Sequence, residues 1–306
     1  MYLCINKVIK TMETKKKYEL NSETIEIDGT ILHRIKALKD FSDVKAGDLG
    51  GWIEKEQNLS QIGDAWIGGN AKVYANAKVY GNAVVCDNAN VFDDAAVCGN
   101  AMVYDNAEIC GNAVVFSNSK VCDTAKVYGH AIVEGNAEIC GNAVVRGNVL
   151  ICGDAKVFGN AFVYGDAIVW DNVRVEGNAV VRDNAEICGE AKVFGHAIID
   201  NNATVCGDAV VYGKAEICGD AVVKNNEDYI VFKNFWGSGR HFTWTRSNNM
   251  WKAGCFYGTG KELIEKAYAD SETSGRECEK IVRLTGSTID ALNLFKFFTN
   301  GSKKEL

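Results

Sequence analysis

The chain has 306 residues, is 47% hydrophobic, contains no proline and carries a formal charge of −7. That length holds one large domain or a solenoid with end modules, and no Pro-rich linker divides it. The charge is uneven, about −9 over residues 61–226 and about +2 elsewhere, which argues against direct nucleic-acid binding by the central stretch.

Residues 1–16 read as a loose basic leader in which Met12 is an alternative start. The segment is too short and too lysine-broken for a secretory signal or a membrane span. The closing Lys303-Lys-Glu-Leu306 reads as an accidental likeness to a retention tail, since no entry signal accompanies it.

Residues 17–60 read as an N-terminal β-hairpin cap. Ile25-Glu-Ile27 runs into Asp28-Gly29, a type I′ turn signal, and Ile31 to Leu38 returns. An open β-coil exposes unpaired N–H and C=O groups and invites end-to-end stacking. Trp52 and Leu49 are therefore expected to plug the open end, with a ligand site around Arg34 and Asp48 as the lesser reading.

Residues 61–226 repeat one six-residue pattern without insertion or deletion: aliphatic, variable, Gly or Asp, Asn or Asp, Ala, variable. Every sixth residue from Ile67 to Val223 is Val or Ile, and the Ala slot departs from Ala only at Ser119, Val149 and Val173. A period of six suits neither a helix nor a hairpin sheet. It suits a short strand with its β-branched residue inward, followed by a turn with positive φ. Three strands close a triangular coil of 18 residues, so residues 18 apart stack. The run gives about nine coils, roughly 40 Å long at strand spacing.

Outward slots then form columns. Nine cysteines (Cys86, Cys98, Cys110, Cys122, Cys140, Cys152, Cys188, Cys206 and Cys218) occupy the slot after the core aliphatic. They read as small apolar fillers rather than a disulfide set; Cys122 with Cys140 and Cys188 with Cys206 stack on adjacent coils, where a redox or metal pair is the lesser reading, and no metal is expected because no CxxC or CxxH spacing supports one. So many free thiols point to a reducing cytoplasm. One face stacks Ala96/Cys98, Val114/Phe116, Ile132/Glu134, Leu150/Cys152 and Ile168/Trp170. This apolar strip is large enough to mark an interface. Phe116, Ile132, Leu150, Ile168 and Trp170 are thus candidate contacts in a homo-oligomer, dimer or trimer. A second face stacks Lys120, Glu138, Lys156, Arg174 and Lys192 as a solvated charge ladder. The turn Asn residues stack in three columns where amide ladders can form.

Ile109-Cys-Gly-Asn-Ala-Val and its neighbours resemble the hexapeptide repeat of left-handed β-helix acyltransferases. The resemblance implies a left-handed parallel β-helix, a hand that the spacing does not give and that opposes the usual crossover rule. It also implies acyl-coenzyme A lying along the coils, a histidine base at a groove between subunits, and a loop extruded from one coil. The stretch from Arg34 through Gly50-Gly-Trp52 to Ser60 resembles a narrower group, uncharacterised acetyltransferase-like proteins of enteric bacteria and prophages; that match covers about residues 17–85.

Residues 227–284 read as a small α+β module. Tyr229-Ile-Val-Phe-Lys, Arg240 to Arg246 and Met250 to Thr259 form a hairpin. Thr259-Gly-Lys-Glu262 is a capping box opening a helix, and Ser274 to Leu284 reads as a second helix. Trp-x-x-Gly-Cys-Phe-x-Gly-Thr over 251–259 resembles a module found at the ends of phage and prophage proteins. Residues 285–306 hold a last amphipathic helix over 287–298, with Ile289, Leu292, Phe295 and Phe298 near one face, and a tail.

Acyl transfer needs a base near neutral pKa, and three histidines are candidates. His130 and His196 occupy the turn slot usually held by Asn, on different corners, and read as turn residues because His tolerates positive φ. His241 lies between Arg240 and aromatic residues of the module. No extruded loop interrupts 61–226. Trp236, Arg240, Trp244, Arg246 and Trp251 read as an aromatic cluster sealing the helix end, or else as a stacking surface with basic rims. The leading expectation is a non-catalytic binding or scaffolding β-helix, phage- or prophage-related, acting through an oligomeric or acidic surface that can engage a host protein, with no cofactor. The alternative is a coenzyme A-dependent acetyltransferase using acetyl-CoA.

Overall fold

The computed structural model describes residues 16–237 and 239–285. The leader, the helix expected over 287–298 and the C-terminal tail lie outside the described residues.

The chain winds into a parallel β-solenoid of three long sheets, one of 12 strands and two of nine. Most coil strands are only two residues, such as Val84–Val85, with four-residue strands at Lys126–Gly129, Val144–Gly147 and Phe162–Gly165. Strand partners are 18 apart in register, for example Val115↔Val133 and Ile139↔Val157. The Val and Ile of every sixth position form the axis of the core, each 0–1% exposed, and the Ala slot is sealed beside them. Ser119, the polar exception in that slot, is also sealed and donates its hydroxyl to Phe116 O at 2.6 Å.

Positive φ falls on the Gly or Asp slot, as at Gly81 (+73°), Asp87 (+59°) and Gly195 (+75°). It does not fall on the Asn slot that follows. The turn argument for His130 and His196 is thereby corrected: Gly129 and Gly195 carry the left-handed backbone, and the histidines after them need no special conformation. The Asn slot serves the ladders instead. Asn82, Asn100, Asn118, Asn136 and Asp154 link amide to oxygen at 2.8–3.1 Å.

The N-terminal block is more than a lid. Strand β1 (Tyr18–Ile27) pairs antiparallel with β2 (Thr30–Ala37), and β2 with β3 (Leu49–Ile53). β3 then pairs parallel with the first regular coil (Trp52↔Lys72, Ile53↔Val73), and Leu59 bridges Val79. Ile53 and Leu59 therefore begin the axial core, so the coils number about ten instead of nine. Leu49 is exposed at 46% and plugs nothing; Tyr18, Ile35, Ala37 and Trp66 seal that end. Arg34 lies over the Trp52 ring at 5.0 Å.

The edge groups of this end meet side-chain donors. Lys17 Nζ donates to Ala65 O (2.7 Å) and Gly63 O (3.2 Å), and Asn58 Nδ2 to Ala77 O (2.9 Å) and Ala75 O (3.1 Å). At the other end each face receives one acceptor. Val210 N donates to Asn226 Oδ1 (2.8 Å), Glu216 N to Thr243 Oγ1 (2.9 Å) and Val222 N to Ser247 Oγ (2.7 Å).

Thr243 and Ser247 belong to the C-terminal module, and Asn226 lies just before it. The module is a four-stranded antiparallel sheet (Tyr229–Lys233, His241–Thr245, Met250–Ala253, Phe256–Thr259) packed on the helix Gly260–Asp270 and on helical turns over 272–285. Thr259 caps the first helix with Glu262 in a reciprocal box. Phe242, Trp244, Trp251, Ala253, Leu263, Ala267 and Cys278 form the module's own core.

Candidate functional site

Side chains alternate across a strand. In His241–Thr245 this puts Phe242 and Trp244 into the module core and turns His241 and Thr243 toward the last coil, where Thr243 caps Glu216 N. His241 then lines a cleft of about 350 Å³ with Tyr212, Gly213, Lys214, Asn226, Tyr229 and Val231. The cleft lies where the module meets the last coil. One wall is the solenoid corner at 212–214 and the other is the strand pair Val231↔Thr243, Lys233↔His241.

The electrostatics favour a neutral imidazole. Partial burial pushes the His241 pKa below its ordinary value, and the cations Lys214 and Lys233 push it the same way. Tyr229 is fixed in the wall by donating its hydroxyl to Val210 O at 2.8 Å, and burial raises its pKa to about 12. It is therefore a donor at neutral pH and not a base. Tyr212, 57% exposed, stacks on Phe194 one coil back, with ring centroids 5.6 Å apart. A neutral base, the Lys214 ammonium and the Tyr212 ring thus share one opening, with Lys233 close enough to act on His241.

The other two histidines stand apart. His130 is exposed on its corner and makes a backbone bond to Gly147 O. His196 is exposed too, and its backbone N donates to Gly213 O, which places it one coil from Lys214 and on the same corner as the cleft.

The five residues singled out in the module are divided among three environments. Trp244 (4% exposed) and Trp251 (2%) lie inside the core. Trp236 and Arg240 line a second cavity, about 220 Å³, floored by Phe242, Leu263 and Ala267. Arg246 is tied to Asp228, with Nη1 3.8 Å from Oδ1. The column Val114, Ile132, Leu150, Ile168 is in register as expected; Ile132 (39%) and Ile168 (38%) are exposed, while Phe116, Leu150 and Trp170 are half-buried. Trp170 Nε1 donates to Glu186 Oε1 at 2.9 Å.

Sequence reasoning passed over the ionic seam under the module. Arg182 Nη2 donates to the buried Asp200 Oδ2 at 2.8 Å, and Lys252 Nζ lies 3.9 Å from Glu216 Oε2, whose pKa is raised by burial. The available signal was an Asp at 200 in an outward slot held elsewhere on that face by Tyr, Phe, Arg or Cys. Lys214 was a further signal, as the one lysine in the turn slot held elsewhere mostly by Asn or Asp, whereas Tyr212 is an ordinary occupant of its slot.

No protein-family model matches the chain. An uncharacterized acetyltransferase of Escherichia coli (strain K12), YdcK, is 43% identical over 60 residues, which is 17% of this chain and 18% of that protein. The chain thus covers less than a fifth of that relative's length. Among the described residues no helix is long and apolar enough to cross a membrane. The local likeness to a protein named as an acetyltransferase, joined to a parallel β-solenoid, supports a place near the hexapeptide-repeat transferases and weighs toward the transferase alternative over the non-catalytic reading.

Proposed function

We propose that the protein is an acyltransferase that takes an acetyl or similar acyl group from coenzyme A to a hydroxyl or amine acceptor, with His241 as the general base. The observation that carries this reading is the placing of His241 in a cleft beside Lys214, where partial burial and the charges of Lys214 and Lys233 favour the neutral imidazole. A base must be unprotonated at working pH and within reach of the acceptor proton. Neutral His241 would take that proton as the acceptor attacks the thioester carbonyl. The carbon–sulfur bond breaks, and the imidazolium returns the proton to the departing thiolate. Lys214 and Lys233 suit the phosphates of such a donor, and the Phe194–Tyr212 stack offers a flat face to an adenine.

The test is calorimetry with acetyl-CoA and a turnover assay over a panel of amines and alcohols. His241→Ala should cost about 10²–10⁴ in rate with donor binding retained, while His130→Ala leaves turnover unchanged. Undiminished turnover in His241→Ala, or no binding of acetyl-CoA at millimolar concentration, overturns the reading.

A second reading, an oligomeric scaffold, is favoured by the exposed Ile132 and Ile168 on an unbroken coil face. Its test is the mass in solution: Ile132→Asp should lower it, and an unchanged mass counts against a role for the strip.

A further inference from the structure

Cys122 and Cys140 occupy the same outward slot on neighbouring coils. The parallel register Lys120↔Glu138, Val121↔Ile139 stacks one above the other at strand spacing. Glu138 belongs to the adjacent column of the same face. The Sγ atoms of Cys122 and Cys140 and a carboxylate oxygen of Glu138 all lie within 4.8 Å of one another. Cys122 shares a second such group with Asp105 and Asp123.

We infer that Cys122, Cys140 and Glu138 form a binding site for a soft divalent cation of the zinc class. Two thiolates and one carboxylate are a donor set for a tetrahedral ion that keeps one further position for water or for Asp105 or Asp123. With metal–sulfur bonds near 2.3 Å and metal–oxygen near 2.0–2.2 Å, tetrahedral ligand atoms stand roughly 3.5–3.8 Å apart. The cluster needs to contract by no more than about 1 Å, within the range of side-chain torsions.

The surroundings suit a cation. The carboxylates of Glu138, Asp105 and Asp123 gather around the two sulfurs. Each thiolate alone would meet other anions, and a bound cation removes that repulsion. The facing cations are Lys120 and Lys156. Lys156 Nζ holds Glu138 Oε2 at 3.0 Å, which leaves the second carboxylate oxygen to coordinate. Tyr104 is the Cys122 sulfur's neighbour from the preceding coil. The other stacked pair, Cys188 and Cys206, gathers no comparable three-ligand group among the described residues. It is therefore an internal control.

The test titrates the reduced full chain with cadmium or cobalt(II) against a chelator of known affinity, following the thiolate-to-metal charge-transfer absorption. Wild type should take up one equivalent that outcompetes the chelator. Cys122→Ser/Cys140→Ser should lose it, Glu138→Gln should weaken it at least about tenfold, and Cys188→Ser/Cys206→Ser should keep it. No stoichiometric band, a band that survives Cys122→Ser/Cys140→Ser, or equal loss in the control pair overturns the site. An unchanged far-ultraviolet circular dichroism spectrum checks that each variant folds.

Discussion

Lys17→Met tests how the N-terminal end is closed. The Lys17 side chain is sealed from solvent, and its ammonium donates to Ala65 O and Gly63 O while lying 5.2 Å from the Phe41 ring centroid. Burial lowers its pKa from 10.5 to about 8; Asp64 opposes the shift and Lys39 adds to it. A folded-state value below the unfolded one means that between pH 8 and 10.5 the unfolded chain binds more protons. The Lys17 contribution to stability therefore rises with pH across that window and is at its least favourable below pH 8. At about 1.4 kcal/mol per pKa unit, the full span is about 3 kcal/mol, of which about 1 kcal/mol has appeared by pH 9. Methionine keeps the apolar stem but leaves two carbonyls without a donor, at roughly 1–3 kcal/mol each. Near pH 7 these effects nearly cancel, so the two proteins should have similar urea midpoints. Above pH 8 the variant should fall progressively behind. Thiols such as the half-buried Cys86 and the buried Cys218, both raised to about 12, weaken both proteins as pH rises above 9 and drop out of the difference. The assay is urea unfolding of both proteins in reducing buffer from pH 7 to 10. A stability difference that stays flat with pH, or moves in the variant's favour, refutes the buried-ammonium account.

Four further outcomes are expected. Lys214→Ala removes one of the cations that depress His241, so the acidic limb of the turnover profile should move up toward the ordinary histidine value; a limb that stays put or moves down counts against the cleft. Thr243→Val leaves Glu216 N without its acceptor and should cost roughly 1–3 kcal/mol, read as faster amide exchange in the last coil. Gly141→Ala should destabilise strongly, because φ is +69° and a Cβ there would lie 2.8 Å from Gly159 N and O; thermal melting measures it, and an unchanged midpoint would contradict the turn geometry. Asn118→Ala interrupts an amide ladder bonded on both sides and should cost only about 0.5–1.5 kcal/mol per bond removed, checked by the same melting curves.

The solenoid was legible before any coordinates because its information is local and repeated. Ile67 to Val223 declare an inward column, the Gly or Asp slot declares the left-handed turn, and an unbroken period fixes the 18-residue stack. The charge and Asn columns follow from that register without further assumption. The capping box at Thr259 and Glu262 was legible for the same reason, since its partners are three residues apart.

What escaped lies where the period stops. That Ile53 and Leu59 continue the core is hidden by a two-residue excess before Ile67, which only pairing with Val73 and Val79 resolves. Lys17 looked like the end of a basic leader, and its burial depends on carbonyls 46 and 48 residues away. His241 was visible as a residue but not as a site, because Lys214 and Tyr212 reach it only through the docking of the module on the last coil. A repeating sequence dictates contacts between equivalent positions on successive coils, so the sequence alone settles the rod. The ends join unlike segments across long separations, and only the folded chain decides which groups meet there.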